Sequence, residues 1–71
     1  TVLTELDLSC NKQIGPNGAL ALAEMLKINT TLRLLWLGDC DVRDEGVHHL
    51  ASALRVNETL EKLDVRFNGI T

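Results

Sequence analysis

The sequence predicts an α/β solenoid, a curved repeat structure with a parallel sheet on its concave side and helices on its convex side. A nine-residue frame, L-x-x-L-x-(L/V)-x-x-(N/C), starts at Leu3, Leu32 and Leu60, so the periods are 29 and 28 residues. Each frame alternates like a strand, and each segment between frames has the spacing of a helix. The chain therefore holds about two and a half repeats.

Each frame predicts a short strand because its apolar and polar residues alternate. In the first frame, Leu6 and Leu8 face the core. Glu5, Asp7 and Ser9 then face the opposite side of the sheet. Stacked strands bring the outward residues into three rows, which are Glu5, Leu34 and Lys62, then Asp7, Trp36 and Asp64, and finally Ser9, Gly38 and Arg66.

Residues 15–29 and 43–57 predict two helices because their apolar residues recur at helical spacing. The apolar stripes are Ala19, Leu22, Ala23 and Leu26 in the first segment and Val47, Leu50, Ala51 and Leu54 in the second. Asn17 and Asp44 are the candidate caps near the helix starts, where Pro16 is also tolerated. A crossover helix between two strands pairs them in parallel. Because helices are wider than strands, the stack bends with the sheet inside.

The frame and its near-constant period resemble leucine-rich repeats of the long, 28/29-residue class, as in ribonuclease-inhibitor-like proteins and the repeat domains of NACHT-type sensors. The resemblance covers nearly the whole chain, and "LWLGDCDV" over residues 35–42 is especially similar. Two departures are Val65, which replaces a frame leucine, and a one-residue insertion within residues 11–14. The resemblance implies that concave strand residues and adjoining loops grip a protein partner. On that resemblance, the contact candidates are Trp36, Asp39, Asp7 and Asp64.

The predicted core combines the frame leucines with the helical stripes. It consists of Leu3, Leu6, Leu8, Ile14, Leu22, Leu26, Leu32, Leu35, Leu37, Val42, Val47, Leu50, Leu54, Leu60, Leu63 and Val65. Repeat arrays generally need at least three units and polar caps, and this sequence shows only the opening strand of a third unit. We therefore expect residues 1–71 to be a leucine-rich repeat fragment, with repeats beginning near 3, 32 and 60, internal to a longer array.

No arrangement of residues points to catalysis, a cofactor or a metal. "GPNG" over residues 15–18 lacks the Lys-Ser/Thr that follows a nucleotide loop. His48 and His49 are adjacent, whereas zinc on a helix prefers a spacing of four residues. An acidic cluster without the spacing of a calcium loop comprises Asp39, Asp41, Asp44 and Glu45. We therefore expect a protein that is not an enzyme and carries no cofactor.

The two cysteines occupy different positions of the frame. Cys40 stands at the ninth position, where Asn11 and Asn68 stand in the other frames, so it is predicted to be a buried turn residue. Cys10 stands at the eighth position, so the two do not face each other, and a reactive Cys10 stays open. Free thiols favour a reducing compartment, and the predicted location is cytoplasmic.

The concave face is the surface that remains for binding. Trp36 and Leu34 form an apolar spot with Asp7 and Asp64 on either side. Two interpretations of Trp36 stay open, a cover for the sheet or an interface hot spot. Aspartates on both sides favour a basic protein partner. The predicted partner-binding residues are Trp36, Asp7, Asp64, Leu34, Glu5, Asp39, Lys62 and Arg66.

These features predict a protein–protein interaction module that acts as an inhibitor, a scaffold or a sensor segment. The alternative is part of an enzyme regulator, such as a GTPase-activating leucine-rich repeat protein. A net charge of −3 with interspersed acids and bases argues against nucleic acid as the partner. No apolar stretch approaches the roughly 18 residues that suggest a membrane span.

Overall fold

The computed structural model describes residues 2–71, and its elements alternate between strand and helix. They are β1 (Glu5–Asp7), α1 (Gly15–Ile28), β2 (Leu34–Trp36), α2 (Arg43–Leu54) and β3 (Lys62–Asp64). The three strands form one parallel sheet in the order β1-β2-β3, and α1 packs beside α2. The predicted α/β repeat architecture is confirmed.

The strand register confirms the first two predicted rows. Leu34 of β2 is paired with Glu5 on one side and with Lys62 on the other. Trp36 is likewise paired with Asp7 and Asp64. Backbone hydrogen bonds continue past the strands into the third row, from Cys10 N to Gly38 O (2.8 Å) and from Asp39 N to Arg66 O (2.9 Å). We call the sheet face that bears these three rows the concave face.

The core lies between the sheet and the two helices. Its largest fully buried side chains are Leu26, Leu32, Leu35, Leu37, Leu50, Val42 and Cys40. Small residues complete it, because Ala19, Ala23 and Ala53 are also buried. Gly46 of α2 allows the helices to approach closely, since a Cβ there would lie 3.0 Å from the Cβ of Ala19.

Two predicted core residues are exposed, and the prediction was wrong for both. Leu3 is 58% exposed, although the equivalent Leu32 is 2% exposed. Leu54 is 41% exposed, although the equivalent Leu26 is fully buried. Leu32 and Leu26 belong to the central cluster between neighbouring repeats, whereas Leu3 and Leu54 lie at opposite ends of the described stack. Burial of a leucine in the frame or in a helix therefore depends on the neighbouring repeat as well as on its own.

The core-facing stripe of α2 is rotated from the predicted one. Its buried residues are Gly46, Leu50 and Ala53, whereas Ala51 is exposed.

The predicted caps were also wrong, since neither helix has a side-chain hydrogen bond at its N-cap. Asp44 instead accepts hydrogen bonds from the backbone N–H and the hydroxyl of Thr71, which hold the pKa of Asp44 below its ordinary value.

An asparagine turns the chain from each helix into the next strand. The Oδ1 atom of Asn57 accepts hydrogen bonds from the backbone N–H groups of Thr59 (2.9 Å) and Leu60 (2.7 Å). Asn29 makes the same turn one repeat earlier. The Nδ2 atom of Asn57 also donates to the carbonyl of Leu26 at 2.7 Å, at the end of α1. This turn therefore connects the second repeat to the first.

A second asparagine joins the repeats at the other end of the strands. Asn68 is 2% exposed, and its Oδ1 atom accepts hydrogen bonds from the backbone N–H groups of Cys40 (2.8 Å) and Val42 (3.0 Å). Its Nδ2 atom donates to the carbonyl of Leu37 at 2.7 Å. Cys40 occupies the equivalent site one repeat earlier, and its thiol donates to the carbonyl of Leu8 at 3.1 Å. The predicted role of Cys40 as a buried turn residue is confirmed.

We expect Asn68→Ala to destabilise the full chain by about 2–3 kcal/mol, because it leaves buried backbone groups of the preceding repeat without partners. The matched control is Asn11→Ala, at the same frame position but exposed; among residues 2–71 its side chain donates hydrogen bonds only to the carbonyls of Leu8 and Ser9 of its own repeat. That change is expected to cost no more than about 1 kcal/mol. Chemical denaturation measures both, and equal losses would contradict the inter-repeat role of Asn68.

Candidate functional site

The eight predicted partner-binding residues lie on the concave face or at its edge. The exposed ones are Glu5, Asp7, Lys62 and Arg66. Leu34, Trp36 and Asp39 are half-buried, and Asp64 is buried. Parallel pairing brings six of them together in two adjacent rows. Arg66 lies in the third row, and Asp39 lies in the loop after β2.

Trp36 is held by a neighbour on each side. Its indole N–H donates a hydrogen bond to Glu5 Oε2 at 2.9 Å. The ammonium of Lys62 lies 4.5 Å from the centre of the ring, within the range of a cation–π interaction. Both partners belong to the row of Leu34, so the indole reaches from its own row into the next. The ring is therefore fixed in position on an open surface.

Asp64 and Arg66 form an ion pair with two contacts between guanidinium and carboxylate. The guanidinium of Arg66 contacts the Asp64 carboxylate through Nε (3.0 Å) and Nη2 (2.8 Å), and the backbone N–H of Arg66 donates to Oδ1. The side chain of Asp64 is only 8% exposed, whereas that of Arg66 is 74% exposed. The hydrogen bonds from Arg66 lower the pKa of Asp64, and the same pair raises the pKa of Arg66. The sequence pattern showed Asp64 as an acidic flank, but its charge is taken up by Arg66.

Asp7, at the equivalent position in β1, differs from Asp64. It is exposed and accepts a hydrogen bond from the backbone N–H of Ser9 at 2.9 Å. Hydrogen bonds from Ser9 lower the pKa of Asp7 and outweigh desolvation and the like charge of Asp64, which both act to raise it. Among residues 2–71, no basic side chain forms an ion pair with Asp7. Asp7 therefore presents an ionised, unpaired carboxylate on the concave face.

The edge of the concave face carries a residue that the sequence reasoning missed. Phe67 is 83% exposed, and its backbone is left-handed (φ 60°). Cys10 and Asp39, at the same eighth position of their frames, are also left-handed. Asp39 lies 3.8 Å from the ammonium of Lys12. An aromatic residue at this outward frame position was the available signal, because the turn keeps the eighth side chain out of the core.

The other predicted clusters do not form sites within the described residues. His48 is exposed, and His49 lies 3.9 Å from Glu45 on the same helix. Across residues 2–71, no group of three or more His, Cys, Asp or Glu side chains is placed to hold a metal ion. Both cysteines are free thiols, with Cys10 exposed and Cys40 buried. No helix in the described part of the chain has the length and apolar character needed to cross a membrane.

A family model described as "Leucine Rich repeat" matches residues 1–23, 29–51 and 56–71. The chain belongs to the leucine-rich repeat family. Its repeats are of the ribonuclease-inhibitor-like class, since it is 46% identical over 69 residues to the ribonuclease inhibitor of Sus scrofa, covering 96% of this chain and 15% of that protein.

Two further relatives have a similar extent of match. The centrosomal protein of 78 kDa from Mus musculus is 42% identical over 68 residues, covering 96% of this chain and 9% of that protein. The human NACHT, LRR and PYD domains-containing protein 3 is 38% identical over 69 residues, covering 96% of this chain and 7% of that protein. The chain thus spans a small part of the length of these curated relatives. No solved structure matches it significantly.

The Asp64–Arg66 pair predicts a pH-dependent contribution to stability. Because the folded-state pKa of Asp64 lies below its ordinary value of 3.8, the contribution is complete above that value and is lost as the pH falls through the folded-state pKa. In an NMR titration of the carboxyl groups, Arg66→Ala is expected to raise the pKa of Asp64. The internal control is Asp7, whose pKa stays low because Ser9 holds it. An unchanged pKa of Asp64 would contradict the pairing.

Proposed function

We propose that this chain is a segment of a protein-binding module that contacts a protein partner through its concave face. Leucine-rich repeats generally mediate protein–protein interactions, and the observation that carries the specific proposal is the position of Trp36. Its ring is fixed by Glu5 and Lys62 on an open sheet face. A rigid, partly exposed aromatic side chain loses little conformational freedom on binding, which is a property of interface hot spots. The module acts as an inhibitor, a scaffold or a sensor segment.

The charges of the concave face favour a basic partner. Asp7 is an unpaired carboxylate, and Glu5 adds a second acidic group whose hydrogen-bond partner is the neutral indole of Trp36. The opposing charge of Arg66 is already neutralised by Asp64. The binding surface therefore has an accessible negative charge at its β1 side, and complementary charge supports faster association and partner choice.

We further propose that the chain lies within a longer array of the same repeats. Support comes from Leu3 and Leu54, which are exposed at the two ends of the stack although their equivalents Leu32 and Leu26 are buried. A neighbouring repeat on each side would cover them in the same way that the described repeats cover one another.

We propose a binding role without catalysis or a cofactor, with neither nucleic acid nor membrane as the partner. A cytoplasmic location agrees with the free thiols of Cys10 and Cys40. A part in an enzyme regulator, such as a GTPase-activating repeat protein, stays an alternative prediction of the sequence.

The test of the concave face is Trp36→Ala in the full chain, with quantitative co-purification of bound proteins. Truncation of a hot-spot aromatic side chain costs about 2 kcal/mol or more of binding free energy, so the affinity for specific partners is expected to fall about thirtyfold or more, and their recovery with it. The matched control is His48→Ala, which changes an exposed side chain on α2. Equal recovery with both variants would contradict binding through the concave face.

A further inference from the structure

Gly38 is a glycine that the fold does not require. Gly15 and Gly69 have left-handed backbones, and a Cβ at Gly18 or Gly46 would lie within 2.7 Å of a side-chain atom. At Gly38 the backbone is not left-handed. A Cβ there would lie 3.6 Å from the carbonyl oxygen of Arg66 and 3.7 Å from the hydroxyl of Ser9, which are ordinary contact distances. The structure has room for a side chain at this position.

Gly38 is one of the residues that line a groove at the end of the concave face. It lies in the row between Ser9 and Arg66, which also line the groove. The lining also includes Trp36, Phe67, Cys10, Asp39 and Asp64. Phe67 has a left-handed backbone and is 83% exposed. The groove therefore has two aromatic residues and two aspartates in its lining.

The charges around the groove determine what it fits. Arg66 lies in the lining, but its charge is neutralised by Asp64. Asp39 has a single ion-pair partner among the described residues, Lys12, at the long distance of 3.8 Å and with a side chain that is 72% exposed. An exposed ion pair of this kind contributes little free energy, so Asp39 can leave Lys12 for another cation at little cost. The carboxylate of Asp39 is thus available to a cation that enters the groove.

A basic side chain fits the aromatic residues of this lining and the carboxylate of Asp39. Its apolar stem packs against the aromatic residues, and its charge meets Asp39. The attraction of Trp36 for a cation is already visible in its contact with Lys62. A neutral apolar side chain would leave Asp39 partly desolvated without a new partner, and an acidic one would be repelled by it.

We propose that this groove takes an arginine or lysine side chain of the protein partner, and that Gly38 is the residue that keeps the groove open for it. The proposal rests on the proposed function, since it assigns a subsite to the same concave face. It makes Gly38 a specificity-determining residue, because any larger side chain at this position occupies the space of the incoming one.

The experiment selects short random peptides, displayed on phage, that bind the full wild-type chain. Peptides are retained only when Trp36→Ala abolishes their binding. Their dissociation constants are then measured for Gly38→Leu, Gly38→Ala, Asp39→Asn and Asp7→Asn.

We expect the peptides to share an arginine or lysine, and Gly38→Leu to weaken binding about tenfold or more. Gly38→Ala, which fits the fold, is expected to weaken binding less. Asp39→Asn is expected to weaken binding about threefold or more and to reduce its salt dependence.

The outcomes separate this proposal from the proposed function. Peptides that lose affinity with Asp7→Asn but bind Gly38→Leu as tightly as wild type would overturn the groove and leave the concave face as the binding surface. Peptides that share no basic residue would overturn the assigned occupant. If no selected peptide depends on Trp36, both proposals fail. Circular dichroism of Gly38→Leu establishes that the variant is folded, and Gly38→Ala provides a second test with the smallest added side chain.

Discussion

Side chains of one repeat satisfy backbone hydrogen-bonding groups of the preceding repeat, and the rest of the structure depends on these bonds. Asn68 saturates the backbone N–H groups of Cys40 and Val42 and the carbonyl of Leu37, all in the preceding repeat. Asn57 likewise bonds to the preceding repeat, since its Nδ2 atom donates to the carbonyl of Leu26 at the end of α1. Because buried backbone groups without partners are costly, these two side chains select one spacing and one register between repeats. They act at opposite ends of the strands, so the strand between them is held at both ends.

The candidate binding face follows from this fixed register. Strands held without slippage bring one outward residue from each repeat into a row, which places Trp36 beside Asp7 and Asp64. Side chains on neighbouring strands then fix one another, as Glu5 and Lys62 fix Trp36. The face is therefore organised before a partner binds, which reduces the entropy lost in binding. Only the outward side chains form the surface of this face. They can therefore differ between repeats while the leucine frame stays the same.

The sequence predicted the repeat, the strands, the rows and the burial of Cys40, because alternation and period determine which side of the sheet each residue faces. It did not predict which side chains pair on that face. Asp7 and Asp64 occupy the same position of the frame, yet only Asp64 is neutralised. Two positions after Asp64 stands Arg66, which forms an ion pair with it, whereas two positions after Asp7 stands the uncharged Ser9. It also did not predict the exposure of Leu3 and Leu54, since their burial depends on a neighbouring repeat. Phe67 was missed because its direction depends on a left-handed turn, which a pattern of leucines does not show.

Native-state hydrogen exchange tests the central claim, that neighbouring repeats are locked together through Asn68. The amides of Cys40 and Val42 both donate to Asn68 Oδ1. They are predicted to exchange only through unfolding of the repeats together, with the strongest protection in the molecule and a marked dependence on denaturant. The amide of Ser9, which donates to the exposed Asp7 of its own repeat, is the reference for local opening. Exchange of Cys40 and Val42 as fast as that of Ser9 would contradict the account.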